Sequence, residues 1–427
     1  MKDNCLLVFW SCYVCLLMVP SFVWGQHTGQ KANAGNPSLI RTDLNKISDP
    51  SFALEPFYHK LNKLSQFQRQ MGNKKGSTPN IVSIMHIGDS HIQAGFLTVT
   101  IMNRLQQHFG SAGRGLIFPL KLARTNEPYD YLIRSESKWN KSLCVHSTHK
   151  IPMGLGGLSI ETYDEQFTFE IRASVGNNDA DHSFNKVTVF HHEKAPELVV
   201  TDIGIESHCE KSKYPFASVV CLDKWVNKLH LTSTVRSEKD SAIYYGFNLE
   251  NGKSGILYHA VGLNGAQFRH YASVQHFAQQ MTILAPQLFI FSLGTNEAFR
   301  GKLKEKYFFA EIDRIIEPIH KANPQASILI TTPPDCLGEN VKKTQSSNTN
   351  ISYVRQSLIR YATAKGYAYW DLYSILGGDD SAYKLYQAGY LAEDGVHFKK
   401  SGYTILGNLF YDALISNYSD YVQRRSQ

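Results

Sequence analysis

The run Ile81-Val-Ser-Ile-Met-His-Ile-Gly-Asp-Ser-His-Ile-Gln-Ala-Gly95 passes from an apolar, β-rich segment straight into a turn that carries a hydroxyl. Ile81 to Ile87 predicts a strand. Gly88 is expected to supply the backbone freedom for a sharp exit, and Asp89 and Ser90 can cap a helix beyond it. Leu97 to Phe109 then places apolar residues at helical spacing. Ser90 therefore stands at a strand-to-helix junction, where the first helical N–H groups lack intrahelical partners and the local dipole favours negative charge. By itself Gly-Asp-Ser decides little, since an N-cap serine in an ordinary turn has the same sequence. Its meaning depends on partners elsewhere in the chain.

Those partners are found where an α/β rhythm resumes. Ile256 to Val261 reads as a strand leading to Gly262-Leu-Asn-Gly265, followed by a helix over Phe268 to Leu284. Leu288 to Leu293 is a fully apolar strand leading to Gly294-Thr-Asn-Glu297, with a helix over Glu305 to Ala322. Ser327 to Thr331 is a strand ending at Pro333-Pro334, Ile351 to Lys365 a helix and Tyr367 to Asp371 a short strand. Strands alternating with helices imply a parallel sheet covered on both faces. Each polar candidate comes after the carboxyl end of a strand, where open parallel sheets place their sites. Near the C-terminus, Leu391-Ala-Glu-Asp-Gly-Val-His397 sets Asp394 and His397 three apart. On one helical turn these share a face, so the carboxylate can hold one imidazole nitrogen while the other faces a nucleophile.

The intervening stretch has another texture. From about Leu116 to Glu250 helical periods vanish, and short strands are predicted at Phe167 to Val175, Lys186 to His191, Glu197 to Ile203, Ser218 to Leu222, Lys228 to Val235 and Ala242 to Leu249. Turn residues separate them at intervals that suit an all-β sandwich inserted between the Ser90 unit and the rest of the α/β domain. Trp139, Tyr163, Trp225, Tyr244 and Tyr245 can either stack on sugar rings or fill the sandwich core. The run Gly110-Ser-Ala-Gly-Arg-Gly115 fits neither phosphate-loop spacing and reads as a tight turn.

The chain has 427 residues, enough for one large domain with an insertion or for two domains. Its formal charge of +7 suits an anionic polymer or surface, yet no Lys/Arg cluster is dense enough for nucleic acid. Residues 1–25 hold Lys2, Asp3 and an apolar run from Leu6 to Trp24, the pattern of a secretory signal peptide and shorter than a membrane span. Residues 26–50 are polar without apolar period and read as a linker, and Phe52 to Met71 reads as a helix. Export, to the periplasm or the outside, permits disulfides among Cys144, Cys209, Cys221 and Cys336. Cys209 with Cys221 would close a short loop, and the spacing does not resemble a zinc site.

With these residues in view, the sequence resembles the SGNH (GDSL-type) esterases and acylhydrolases. Gly88-Asp-Ser90 resembles the first block of that family, Gly265 the glycine of the second, Gly294-Thr-Asn-Glu297 the third and Asp394-Gly-Val-His397 the fifth. His91 stands where the family usually has leucine, and Glu297 where it usually has aspartate. The first motif, the Gly-Ser-Ala-Gly-Arg-Gly run and the inserted β region are similar, more narrowly, to the peptidoglycan O-acetylesterases of Gram-negative bacteria, whose insertion resembles a carbohydrate-binding module.

The resemblance implies a flavodoxin-like, three-layer α/β/α parallel sheet over residues 51–115 and 251–427, with residues 116–250 as an inserted β-sandwich. It implies Ser90 as nucleophile, His397 as general base and acid, and Asp394 as its orienting partner. The oxyanion hole would be the N–H groups of Ser90 and Gly265 with the amide of Asn296. No metal and no organic cofactor is expected. The implied partner is an acetylated, peptidoglycan-like glycan, with no nucleic acid and no membrane span once the leader is removed. His86, His91, Gln93 and Arg114 can shape the pocket or serve packing. An O-acyltransferase running the same acyl-enzyme, an esterase for another acetylated polysaccharide and a non-catalytic glycan binder are the competing readings.

Overall fold

The segment Ile81–Gly88 is a strand (β2) with seven of its eight residues buried, as a parallel strand covered on both sides requires. Its side chains alternate between two cores: Val82 and Ile84 pack to one side, Met85 and Ile87 to the other. Around it the computed structural model describes residues 39–71, 78–173, 181–210, 212–235, 240–301, 303–338 and 347–427, all within one compact unit. The signal-peptide reading of residues 1–25 falls outside the described residues.

Six strands form the central sheet: β1 (Ile47–Ser48), β2, β3 (Gly255–Gly262), β4 (Leu288–Ser292), β5 (Ser327–Thr331) and β6 (Ala368–Trp370). Their spatial order is β1-β6-β5-β4-β2-β3, with β1 antiparallel to β6 and the other pairs parallel. Helices α1 (Glu55–Met71), α2 (Ser90–Gln93), α3 (Phe96–Phe109), α4 (Phe268–Tyr271), α5 (Phe277–Leu284), α6 (Thr295–Ala298), α7 (Glu305–Ala322) and α8 (Thr349–Lys365) come in chain order. They are completed by α9 (Leu372–Ile375), α10 (Ser381–Gln387) and α11 (Lys400–Ser426). Apolar faces of α1, α3 and α11 cover one side of the sheet, and those of α4, α5, α7 and α8 the other. This is the expected three-layer arrangement.

Three details depart from expectation. The single helix expected over Phe268 to Leu284 is two, α4 and α5, with a turn between them. Residues 39–50, expected to be linker, bury Ile40 and Ile47 and add edge strand β1, a two-residue ladder too short to leave a period in the sequence. Gly88 is not at positive φ; it is needed for space, because a Cβ there would meet Ile92 Cγ1 at 2.2 Å and the Ser292 carbonyl oxygen at 2.8 Å.

Between α3 and β3 the chain builds two antiparallel sheets. One is seven-stranded, with Ala242–Glu250 pairing Phe184–His191, Leu158–Thr162 and Gly115–Ile117. The other is four-stranded, made of Tyr131–Arg134, Thr168–Ala173, Lys228–Ser233 and Leu198–Val200. Trp139, Phe167, Phe169, Tyr244 and Phe247 pack edge to face or stacked among one another in a common aromatic core. Trp139, Tyr244 and Tyr245 are therefore core residues, whereas Tyr163 and Trp225 are exposed. That core continues without a break into the one beneath β2 and β4. All four cysteines in the described residues are free. Cys209 sits opposite Val220 in its ladder, so the alternation of a strand turns Cys209 and Cys221 to opposite faces and the short-loop disulfide does not form.

Candidate active site

Sheet register sets the site. Gly88 pairs with Gly262 of β3 and with Ser292 of β4, so three strands end at one level, and the loops leaving that level carry Ser90, Gly265 and Asn296. In the chain, β2 leads first to β3 on one side and then to β4 on the other. The site thus occupies the point where strand order reverses, and crevices open there in α/β sheets.

Ser90 is the first residue of α2, with Asp89 as N-cap accepting the His91 N–H at 3.0 Å. Its Oγ lies 2.8 Å from His397 Nε2, and His397 Nδ1 lies 2.7 Å from Asp394 Oδ2. The residues sequence reasoning selected are brought together, but not on the helical turn expected for Asp394 and His397. They sit in a tight turn closed by Asp394 Oδ1, which accepts the N–H groups of Val396 and His397 at 2.9 Å each, with Gly395 at φ +69°. Burial works to raise the Asp394 carboxyl; those two N–H groups and the imidazole outweigh it and hold the group below its ordinary value. The carboxylate is thus ionised and faces Nδ1, the arrangement that leaves Nε2 free to accept from the serine hydroxyl.

Gly265 is exposed at φ +77° in the turn after β3. Asn296 lies in α6, after Gly294 at φ +132°, a backbone position that favours glycine. Its Nδ2 donates to Asp89 Oδ2 at 3.2 Å and to the Ala266 carbonyl at 3.1 Å. Gln267 Nε2 donates to the Asn296 carbonyl at 2.7 Å, and Phe268 N–H donates to Glu297 Oε1 at 2.8 Å. The Gly265 and Asn296 loops are therefore cross-braced, and Tyr271 ties them to β2 by donating to the Gly88 carbonyl at 2.8 Å. Glu297 and Asp89 are buried, which raises them to about 8 and about 7.

The four residues with open roles separate. His91 packs under the triad with its ring 5.4 Å from that of His397 and its Nδ1 3.0 Å from the Tyr403 hydroxyl. Burial, and then the His397 charge, lower it to about 3, so it stays neutral. His86 is buried in β2 between the Tyr258 and Ser292 hydroxyls, 2.6 Å each. Gln93 Nε2 reaches Thr125 Oγ1 at 3.0 Å and the Asn126 carbonyl at 2.6 Å, while its Oε1 accepts the Asn264 N–H. Arg114 forms a buried ion pair with Asp130 and takes no part in the site. The Gly110–Gly115 run is the expected close turn: a Cβ on Gly113 would meet the Leu249 carbonyl at 2.4 Å. Sequence reasoning missed Tyr403, Tyr271 and the bracing role of Gln267, since long-range hydrogen bonds leave no local signal. Among the described residues, His208, Glu210 and Cys221 have ligand atoms within 4.8 Å of one another, but this exposed group lies on the seven-stranded sheet, not at Ser90.

Residues 240–405 match the GDSL-like lipase/acylhydrolase family. The chain carries a GDSL-like acylhydrolase domain. The match leaves out Ser90, which the inserted strands separate from the rest of the acylhydrolase in sequence. Among solved structures, a peptidoglycan O-acetylesterase superimposes on this chain with a TM-score of 0.71 at 23% identity, over 88% of this chain and 99% of that one. The fold is thus that of an SGNH hydrolase with an inserted β region. A lipase/acylhydrolase from Enterococcus faecalis is also similar, with 18% identity, 38% of this chain and 78% of that one covered, and a TM-score of 0.30. An acetyl xylan esterase gives 17% identity, 37% and 81% coverage and a TM-score of 0.30. No curated protein sequence matches the chain. An acylhydrolase of this kind is a carboxylic ester hydrolase, and a serine, imidazole and carboxylate in hydrogen-bond sequence are what that chemistry requires.

Proposed function

We propose that the protein is an exported serine O-acetylesterase that removes small acyl groups from a cell-wall glycan, peptidoglycan or a close analogue. The observation that carries this reading is the Ser90 to His397 to Asp394 chain of hydrogen bonds, 2.8 Å and 2.7 Å, at the mouth of three strand-end loops. Ser90 Oγ attacks the ester carbonyl while His397 Nε2 takes its proton. The imidazolium, steadied by Asp394, then gives that proton to the departing sugar alkoxide. Water, deprotonated by the same imidazole, then attacks the acyl carbon; the bond to Ser90 Oγ breaks, the imidazolium returns the proton to that oxygen, and acetate is released. The N–H of Ser90, free as the first of α2, the N–H of Gly265 and the Asn296 amide are the donors for the oxyanion.

Peptidoglycan is favoured as substrate by the likeness in fold to a peptidoglycan O-acetylesterase, inserted sheets included, and by the net positive charge. Export is supported by the apolar run Leu6 to Trp24; among the described residues no helix is long and apolar enough to cross a membrane. The test is acetate release from O-acetylated peptidoglycan, acetylated xylan and a small acetyl ester side by side. Release from all three with the highest kcat/KM on peptidoglycan supports the reading, and release from xylan alone among the polymers overturns the substrate. Acetate that passes to an added sugar hydroxyl in preference to water identifies a transferase, and no release from any substrate identifies a non-catalytic binder.

A further inference from the structure

At the outer edge of the seven-stranded sheet, Ser207–Glu210 pairs antiparallel with Ala217–Val226 and with no other strand. The register sets His208 opposite Cys221 and Glu210 opposite Val219. Side chains alternate along a strand, so His208, Glu210 and Cys221 share one face, while Cys209 turns to the other, where its Sγ meets the Leu198 carbonyl at 3.8 Å. An imidazole, a carboxylate and a thiol are thus gathered on one face, with their ligand atoms all within 4.8 Å of one another.

These donors suit a transition ion. Thiolate sulfur and imidazole nitrogen are zinc ligands, whereas calcium and magnesium take oxygen. Tetrahedral zinc bonds of about 2.0 to 2.3 Å place neighbouring donors about 3.5 Å apart, and His208 Nε2 already lies 3.5 Å from Glu210 Oε1. The side chains of His208 and Glu210 are 69% and 59% exposed, so both can rotate towards Cys221 without disturbing a packed core. Among the described residues neither has another ion-pair partner, and Lys186, opposite Cys221 on the next strand, is matched by Glu250 at 3.3 Å. A divalent ion, a thiolate, a carboxylate and a neutral imidazole leave no net charge at the site.

We infer that His208, Glu210 and Cys221 form a binding site for a zinc-type divalent ion, with solvent water in the fourth position. Binding releases the Cys221 proton to solvent, and the ion then joins the two strands side chain to side chain. The edge strand gains most, because all four of its residues are exposed and only its ladder to Ala217–Val226 holds it. Cysteine spacing conceals the site, since two of its three donors are not cysteines and the third lies across a strand pair. The clip is structural and independent of the ester chemistry at Ser90.

The test adds zinc, cobalt, calcium or magnesium to the full chain, stripped of metal by a chelator and kept reduced by a thiol-free reductant. Wild type is compared with His208→Ala, Glu210→Gln, Cys221→Ser and Cys209→Ser, each confirmed as folded by circular dichroism. Wild type and Cys209→Ser are expected to take up about one equivalent of zinc, and with cobalt to show the near-ultraviolet charge-transfer band of a thiolate ligand. Losing an outer-shell partner typically costs about ten- to a hundredfold in metal affinity, so losing the ligands themselves in Cys221→Ser or His208→Ala should weaken zinc by more than about a hundredfold. Glu210→Gln, which keeps an oxygen but not the charge, should weaken it by about tenfold or more. Zinc should also slow amide exchange over Ser207–Glu210 in wild type and leave it unaltered in Cys221→Ser. No uptake by wild type, uptake that survives both Cys221→Ser and His208→Ala, or calcium or magnesium bound in zinc's place overturns the site.

Discussion

At Asn296 both amide hydrogens already have acceptors, Asp89 Oδ2 and the Ala266 carbonyl, so its part in stabilising an oxyanion requires one of these bonds to be shared or exchanged as charge develops. An interaction that strengthens only in the transition state acts on kcat rather than on KM. Asn296→Ala is accordingly expected to lower kcat on the order of a hundredfold with little change in KM. Asn296→Asp should be at least as damaging, because it places a second carboxylate against Asp89 and repels the oxyanion. If both variants melt earlier yet keep their turnover per folded molecule, Asn296 is only a brace between loops. At this scale the meeting of Ser90 with His397 and Asp394 was legible from the sequence, whereas the oxyanion roles of Gly265 and Asn296 stay proposals. The partners that fix their orientation were not legible: Tyr403 is 312 residues from His91 and Tyr271 183 residues from Gly88, and nothing local marks such pairs.

Among elements, the tie between α6 and α4 gives a pH signature. Glu297 is fully buried, its Oε1 accepts the Phe268 N–H and its Oε2 has no hydrogen-bond partner among the described residues, and burial raises it from 4.5 to about 8. Between those two values the folded protein binds a proton that the unfolded chain has released. Stability therefore falls as pH rises from about 4.5 to about 8 and then levels off. Glu297→Gln keeps the acceptor for Phe268 and removes the titration, so its melting temperature minus that of wild type should grow from pH 5 to pH 9. A difference that stays constant with pH would show that Glu297 does not titrate in this window. The usual aspartate of this motif is shorter by one methylene, and the longer acid lets α6 reach the α4 backbone. Element reading was accurate where periods are long, as in α7 and β5, whose bounds match expectation. It failed at the Asp394 turn, which has a helix's spacing but is closed by a side chain, and at β1, which exists only because β6 offers an edge.

For the whole molecule, the change of texture near Leu116 suggested a separable β module, and the two antiparallel sheets are there. Separability is another matter, because Leu116, Phe118 and Met153 share one core with Val261, Tyr271 and Phe277 of the α/β part. Which side of a strand faces a neighbouring unit depends on topology, and composition does not carry it. The shared core predicts that the protein unfolds in one cooperative calorimetric transition, with module and hydrolase melting together. Two resolved transitions would mean that the inserted sheets fold on their own and only dock. The proposed chemistry begins with Ser90 as the attacking group and passes through its acyl ester, so the most direct test is acetate release by Ser90→Ala, shown to be folded by circular dichroism, against wild type on a small acetyl ester. The triad geometry predicts turnover reduced by more than about a thousandfold with the fold intact. A folded Ser90→Ala that keeps most of its turnover would contradict it.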